Sequence, residues 1–343
     1  MKKQIIAAAV AASVSAVAMA DISITGDAKY EYLYTDNSDG TTLNEANTEM
    51  HINIAGKKGD TGVVIKTEID THGDGSQLDI EDNYITTKVG DINIKAGNYA
   101  SSTSSLLGEI DEGGRATNKV TLDTTIGGVK IYAGNQGRDG TGTNHADNGS
   151  AAGGPGKNRE GFVNLQEDMF AGVVFDVAGN TVEFKKNSST TDSMGIKGSM
   201  GGINYRIEQK NDSPANGDTT FGEVGTTING ISLSYAWIDS DKAGQIKETD
   251  SAIFAKEAGN LTGSTDDGTS QVTIATTMDG NKVTVKAGTI DNAFGSNLDQ
   301  DWTQVIVSRP LASGATATIT YTDADTSSTA DATTFEAELA VSF

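Results

Sequence analysis

No cysteine occurs in the chain, which removes disulfides, thiolate metal sites and cysteine nucleophiles together. Histidine is nearly as scarce: His51, His72 and His145 are too dispersed to suggest a zinc site or a catalytic triad. Proline is held to 3 residues while glycine reaches 41, a balance that suits many short strands and tight turns rather than helices. Arginine is confined to Arg115, Arg138, Arg159, Arg206 and Arg309. With Lys+Arg at 25 against Asp+Glu at 47, the formal net charge is −22. That is the wrong sign for a partner made of phosphates, so no nucleic-acid partner is expected. Long apolar runs are also missing, except at the N-terminus, which excludes a helical membrane protein.

The exceptional run reads MKKQIIAAAVAASVSAVAMA. Lys2 and Lys3 give a positive start, Ile5–Val17 an apolar middle, and Ala18-Met19-Ala20 a small-residue cleavage site. This pattern predicts a secretory signal peptide over residues 1–20, too short to span a membrane and followed by no stop-transfer pattern. The mature chain is then one domain over residues 21–343, and the loss of two lysines takes its net charge from −22 to −24.

Past the leader the sequence alternates. Ile22, Ile24, Ala28, Tyr30, Tyr32 and Tyr34 share one parity, and Ser23, Thr25, Asp27, Lys29 and Glu31 the other. One such strand fits a membrane barrel, with apolar residues toward lipid, or a soluble sandwich with the faces exchanged. Repetition favours the barrel. Apolar-alternating segments flank eight hairpin turn signals: Gly56–Asp60, Val89-Gly90-Asp91, Gly127-Gly128, Ala178-Gly179-Asn180, Gly201-Gly202, Asn229-Gly230, Asp279-Gly280-Asn281 and Leu311–Gly314. The intervening connections include long polar stretches, at Asp36–Asn47, Gln136–Arg159, Asp239–Ser270 and Asp291–Gln300. Short turns at one end and long loops at the other predict an all-β, antiparallel transmembrane barrel of about sixteen to eighteen strands, with the turns periplasmic and the loops extracellular. The final segment, Phe335 to Phe343, alternates too and ends on an aromatic ring, a poor choice for a water-exposed terminus. Phe343 is therefore a candidate assembly signal.

One stretch breaks the alternation. Residues 98–118, NYASSTSSLLGEIDEGGRATN, place Glu109, Asp111 and Glu112 close to Arg115. We read it as a third loop folded into the barrel, where three carboxylates create a strong local field across the pore. The alternative is an ordinary solvated acidic loop.

With these features the chain resembles a Gram-negative trimeric general porin. The resemblance rests on the leader ending Ala18-Met19-Ala20, the opening Asp21-Ile22-Ser23, the third loop with its exit Arg115-Ala116-Thr117-Asn118, and the terminal Phe343. It implies a homotrimer in the outer membrane, reached through the periplasm and surrounded by lipid and lipopolysaccharide, and an inward third loop whose acids face basic residues on the wall. It also implies sixteen strands, one pair fewer than the turn signals suggest. The family's arginine cluster has no counterpart in so arginine-poor a chain. Lysines on lumen parity would serve instead: Lys29, Lys66, Lys95, Lys119, Lys130 and Lys286, with Arg206 beside them.

Two further patterns invite chemistry. Asp70, Asp74, Gly75 and Glu81 match the spacing of an EF-hand calcium loop, although His72 stands where an oxygen ligand belongs and the flanks read as strands. Adventitious loop calcium is the milder version of that reading. Gly153–Asn158 resembles a phosphate loop, but Asn158 replaces the magnesium-binding Ser/Thr. No Gly-x-Ser-x-Gly elbow is present. The sequence therefore predicts a passive channel for small hydrophilic solutes and ions, with no reaction and no required cofactor. The alternatives are a substrate-specific channel of the same fold, a secreted, calcium-stabilised β-rich surface or adhesion protein, and an outer-membrane barrel enzyme.

Overall fold

The structure, a computed structural model, describes residues 21–38, 40–70, 77–99, 106–107, 116–135, 138–139, 169–187, 191–211, 217–241, 268–293, 298–326 and 331–343. Residues 1–20, read from sequence as a signal peptide, lie outside them. Nineteen strand segments form one sheet. The first quarter holds β1 (Asp21–Asn37), β2 (Thr42–Lys58), β3 (Thr61–Asp70), β4 (Gln77–Val89) and β5 (Ile92–Tyr99). Next come β6 (Ala116–Ile126), β7 (Val129–Asn135), the two-residue β8 (Arg138–Asp139), β9 (Met169–Val177) and β10 (Asn180–Asn187). These are followed by β11 (Asp192–Met200), β12 (Ile203–Asn211), β13 (Thr219–Ile228), β14 (Ile231–Ser240) and β15 (Gly268–Met278). The sheet ends with β16 (Asn281–Ala293), β17 (Leu298–Pro310), β18 (Ala315–Thr326) and β19 (Ala332–Ser342).

Every neighbouring pair is antiparallel, and β1 pairs with both β2 and β19, so the sheet closes on itself. Segment β8 continues the ladder of β7 against β6, through Ala116↔Asp139 and Thr117↔Arg138. The two segments are one interrupted strand, and the barrel has 18 strands. Closure answers the membrane's main demand, because an open edge in lipid would leave a row of backbone groups unpaired. The last join is at Gly26 and Phe343, whose N–H groups each donate to the other's carbonyl at 2.9 Å.

All eight predicted turns are present at one end of the barrel. Ala178, Asn229 and Asp279 sit at φ 49, 52 and 50, each followed by a glycine at φ 80 to 81, the paired left-handed conformation that fits the twist of a two-residue hairpin. The opposite end carries the longer connections. Two of the predicted loops are shorter than the sequence suggested. Over Asp36–Asn47, β1 runs to Asn37 and β2 starts at Thr42, with Tyr34↔Asn44 and Asp36↔Thr42 in register. Over Asp291–Gln300, β16 runs to Ala293 and β17 starts at Leu298. A hairpin standing above the membrane has water on both faces, so its strands pair without alternating, and the polar composition hid them.

The pleat decides which face is which. Ile24, Leu78 and Ile319 are 62%, 68% and 49% exposed, while Glu183, Glu208 and Gln304 are fully buried on the other parity. A barrel with an apolar exterior all round and a polar interior is built for lipid. This corrects the reading as a secreted surface or adhesion protein, whose apolar faces would have to turn inward. It also corrects the EF-hand: Asp70 ends β3, and Glu81 lies on β4 at a bulge where the β3–β4 register shifts by one residue. Two strands stand where the motif needs two helices. Asp74 lies outside the described residues.

Candidate functional site

The connection from β5 to β6 is the third on the long-loop side, and β5 and β6 reach into the 98–118 stretch from either end, to Tyr99 and from Ala116. Glu109, Asp111, Glu112 and Arg115 lie outside the described residues. Leu106 and Leu107 are described, and both are buried inside the barrel, at 1% and 0% exposure. The Leu106 N–H donates to Glu183 Oε2 on β10 at 3.0 Å. Its carbonyl accepts from Arg206 Nη2 and Nε on β12, at 2.8 and 3.1 Å. Leu107 clusters with Phe221 on β13 and Ala236 and Ile238 on β14. Gly195 on β11 leaves the room they need, since a Cβ there would stand 2.9 Å from Leu107 Cδ2 and 3.0 Å from Leu106 Cγ. Leu106 and Leu107, the described part of the connection, are therefore docked inside the barrel on the wall from β10 to β14, beyond β7 and β9.

The anchor residues are themselves held. Tyr132 Oη donates to Glu183 Oε1 at 2.5 Å. Arg206 forms an ion pair with the buried Glu208 and lies 5.3 Å from the Phe221 ring centre. Buried charges of this kind are tolerable only when paired or hydrogen-bonded: Glu208 is paired with Arg206, and Glu183 accepts from Tyr132 and from the Leu106 N–H. Arg206, read from parity as part of the basic wall, points inward as expected but is engaged with the loop backbone. The role of Leu106 and Leu107 went unread in the sequence. The available signal was their adjacency, the only pair of large apolar residues in a polar loop.

The lysines share the inward face of the barrel with Arg206. Lys29 reaches Glu31 and Glu49 at 3.2 and 3.0 Å, and Lys66 reaches Glu81 at 2.7 Å. Lys95 stands 3.9 Å from the ring centres of both Tyr84 and Tyr99, and Lys119 is 5.1 Å from Tyr99. Lys130 on β7 and Lys286 on β16 alternate with the outward Ile131 and Val285. Lys185, not singled out from sequence, is also inward, 5.0 Å from the Phe170 ring.

Taken round the ring, the described inward residues sort by charge. From β19 to β4 the wall is rich in acids, among them Glu336, Glu338, Glu31, Glu49, Glu68 and Glu81. From β5 to β12 bases are in excess, with Lys95, Lys119, Lys130, Lys185, Lys197 and Arg206 beside the buried Glu183 and Glu208. From β13 to β18 it is largely neutral and polar, with Gln271, Gln300, Gln304, Thr320 and Thr322. Two oppositely charged arcs side by side set up a transverse field that neither would make alone. The acidic arc was legible in part, because Glu31, Glu49 and Glu68 have the same parity as the lysines beside them. Glu81 was not, because the bulge changes its parity.

Against known proteins, no family model and no curated sequence matches. Solved structures do. The barrel is similar to OccK9 (OpdG) of Pseudomonas aeruginosa, 13% identical, with TM-score 0.63, covering 94% of this chain and 98% of that one. It is similar to OccK2 (OpdF) in complex with glucuronate, at 11% identity and TM-score 0.64 over 94% of this chain and 98% of that one. OpdK with vanillate matches at 13% identity and TM-score 0.61, over 94% and 98%. These are outer-membrane channels of 18 strands, so the likeness in fold joins the apolar exterior in placing the chain. The chain is an outer-membrane β-barrel. Its 18 strands agree with the count the turn signals suggested and correct the sixteen implied by the general-porin resemblance, since all of them pair within one closed ring.

Proposed function

We propose that this barrel is a water-filled channel for passive diffusion of small hydrophilic solutes and ions. The observation that carries the reading is the docking of Leu106 and Leu107 inside the barrel, on a wall with acids in excess on one arc and bases in excess on the next. A loop crossing the lumen narrows the path. The charges beside the narrow part then act at short range, where a carboxylate about 4 Å from an ion contributes roughly 1–4 kcal/mol. Acids on outer loops count for little, because the Debye length is about 8 Å at physiological salt. Glu109, Asp111 and Glu112 belong to the same loop and in this reading face the lysine arc, with Arg115 at the loop's return. The reading needs no reaction and no cofactor. It does not include a homotrimer, which rested on the general-porin resemblance alone.

The test is conductance in a planar bilayer, with reversal potential under a salt gradient. Wild type should form open, ohmic channels. Glu109→Gln, Asp111→Asn and Glu112→Gln together should shift selectivity toward anions, and neutralising three acids of the outer stretch 239–250 should do much less. Equal shifts from the two triple variants would show that residues 98–118 are not the constriction.

A second reading, a channel specific for small organic carboxylates, is favoured by lysines set against rings. Lys95 with Tyr84 and Tyr99, and Lys185 with Phe170, offer a cation for a carboxylate beside an apolar face for a ring. Liposome swelling separates the readings. The specific channel should admit glucuronate or vanillate faster than neutral sugars of similar size, and the general one should not.

A further inference from the structure

We propose that Glu49, His51 and Glu68 on the lumen wall form a binding site for a divalent transition-metal ion such as Zn²⁺. Glu49 and His51 are two residues apart on β2 and so point to the same face, and Glu68 is the residue of β3 directly opposite His51. One ligand atom from each lies within 4.8 Å of the other two. The three donors are carried by paired strands rather than a loop, so the backbone has already met the cost of assembling them.

The imidazole is oriented as a ligand. His51 Nδ1 is 3.0 Å from Asp27 Oδ2 on β1, the residue opposite His51 on its other side. A carboxylate that accepts from one ring nitrogen leaves the second as a lone pair, the arrangement that metal-binding histidines use. Here that second nitrogen, Nε2, faces Glu49 Oε1 at 3.1 Å and Glu81 Oε2 at 3.9 Å. A lone pair set against carboxylate oxygens repels them unless a cation lies between. The other Glu49 oxygen is held by Lys29 at 3.0 Å, so Glu49 is fixed without neutralising the oxygen it turns to the imidazole. Glu81 is held by Lys66 at 2.7 Å through the same Oε2 that faces Nε2, and the metal ligands are therefore Glu49, His51 and Glu68. His51 and Glu49 side chains are 19% and 18% exposed, open to ions in the lumen. A nitrogen donor among carboxylates selects Zn²⁺ and its neighbours over Mg²⁺ and Ca²⁺, which prefer oxygen alone. The rival occupant is a proton, which would make His51 an imidazolium bridging Asp27 and Glu49.

Calorimetric titration of the detergent-solubilised barrel with Zn²⁺ tests this without relying on conductance. A metal-free bilayer recording separately tests whether the barrel is a channel. At about pH 7.5 we expect one Zn²⁺ per barrel and little response to Mg²⁺. His51→Gln and Glu68→Gln should each weaken binding about tenfold or more, and Asp27→Asn by about 10–100-fold. Heat-modifiable mobility on a gel identifies variants that still fold. In the bilayer, Zn²⁺ should reduce cation selectivity in wild type and not in His51→Gln. The proposal is overturned if wild type binds no Zn²⁺ in large excess, or if folded His51→Gln and Glu68→Gln bind it as tightly as wild type.

Discussion

The guanidinium of Arg206 donates to the backbone carbonyl of Leu106, 100 residues earlier in the chain. Backbone acceptors are bonded whatever side chain the loop carries, so this contact holds the loop's path rather than its composition. Arg206→Ala should release one end of the latch and leave Glu208 buried without its ion-pair partner. Charged hydrogen bonds of this kind contribute roughly 1.5–3 kcal/mol each. We expect a larger and noisier single-channel conductance from a barrel that still folds. Gly195→Val attacks the same docking without touching a charge, by crowding Leu106 and Leu107. If both variants keep wild-type conductance, the docked loop does not limit the pore.

Gly26 and Phe343 give a second expectation. Their reciprocal backbone bonds close the ring, and a Cβ on Gly26 would stand 2.7 Å from Phe343 Cζ, so the terminal ring covers the glycine on the lipid side. Deleting Phe343 and replacing Gly26 with Val should impair assembly alike, read as a lower fraction of heat-modifiable folded barrel. Normal folding of either variant would show that closure does not depend on this pair.

Depth and parity predict a third contrast. Leu339 is 48% exposed on the outer face, and Glu338 is on the inner one beside Glu31 and Glu336. Leu339→Lys should cost about 2–4 kcal/mol in a refolding titration with lipid vesicles. Glu338→Lys places a cation among carboxylates and should cost far less. Equal losses would contradict the assignment of faces.

The hairpin turn at Ala178 offers a gain. Alanine at φ 49 occupies the left-handed region, where a Cβ costs roughly 1–2 kcal/mol. Asn229 and Asp279 hold the matching position in two other turns at φ 52 and 50. Ala178→Asn should therefore raise stability by a fraction of that cost, measured as a higher denaturant midpoint, with conductance unchanged.

Much of the fold was legible because strands write their faces at period two. The parity of Ile22, Ile24 and Tyr30 against Lys29 and Glu31, and the glycine turns from Gly59 to Gly314, placed the strands and the inward lysines from sequence alone. The same local code failed where the environment changes. Strand ends above the membrane, such as Asp36 and Thr42, pair without alternating, and the bulge at Glu81 reverses parity within one strand.

Tertiary structure decided the rest. Closure of β1 on β19, the destination of Leu106 and Leu107, the engagement of Arg206 and the meeting of His51 with Asp27, Glu49 and Glu68 all join residues from different strands. The latch contacts span 77 and 100 positions. No periodicity within a segment encodes such partners. They follow from which strands pair as neighbours in the closed ring and from where Leu106 and Leu107 dock inside it, and that is a property of the whole barrel.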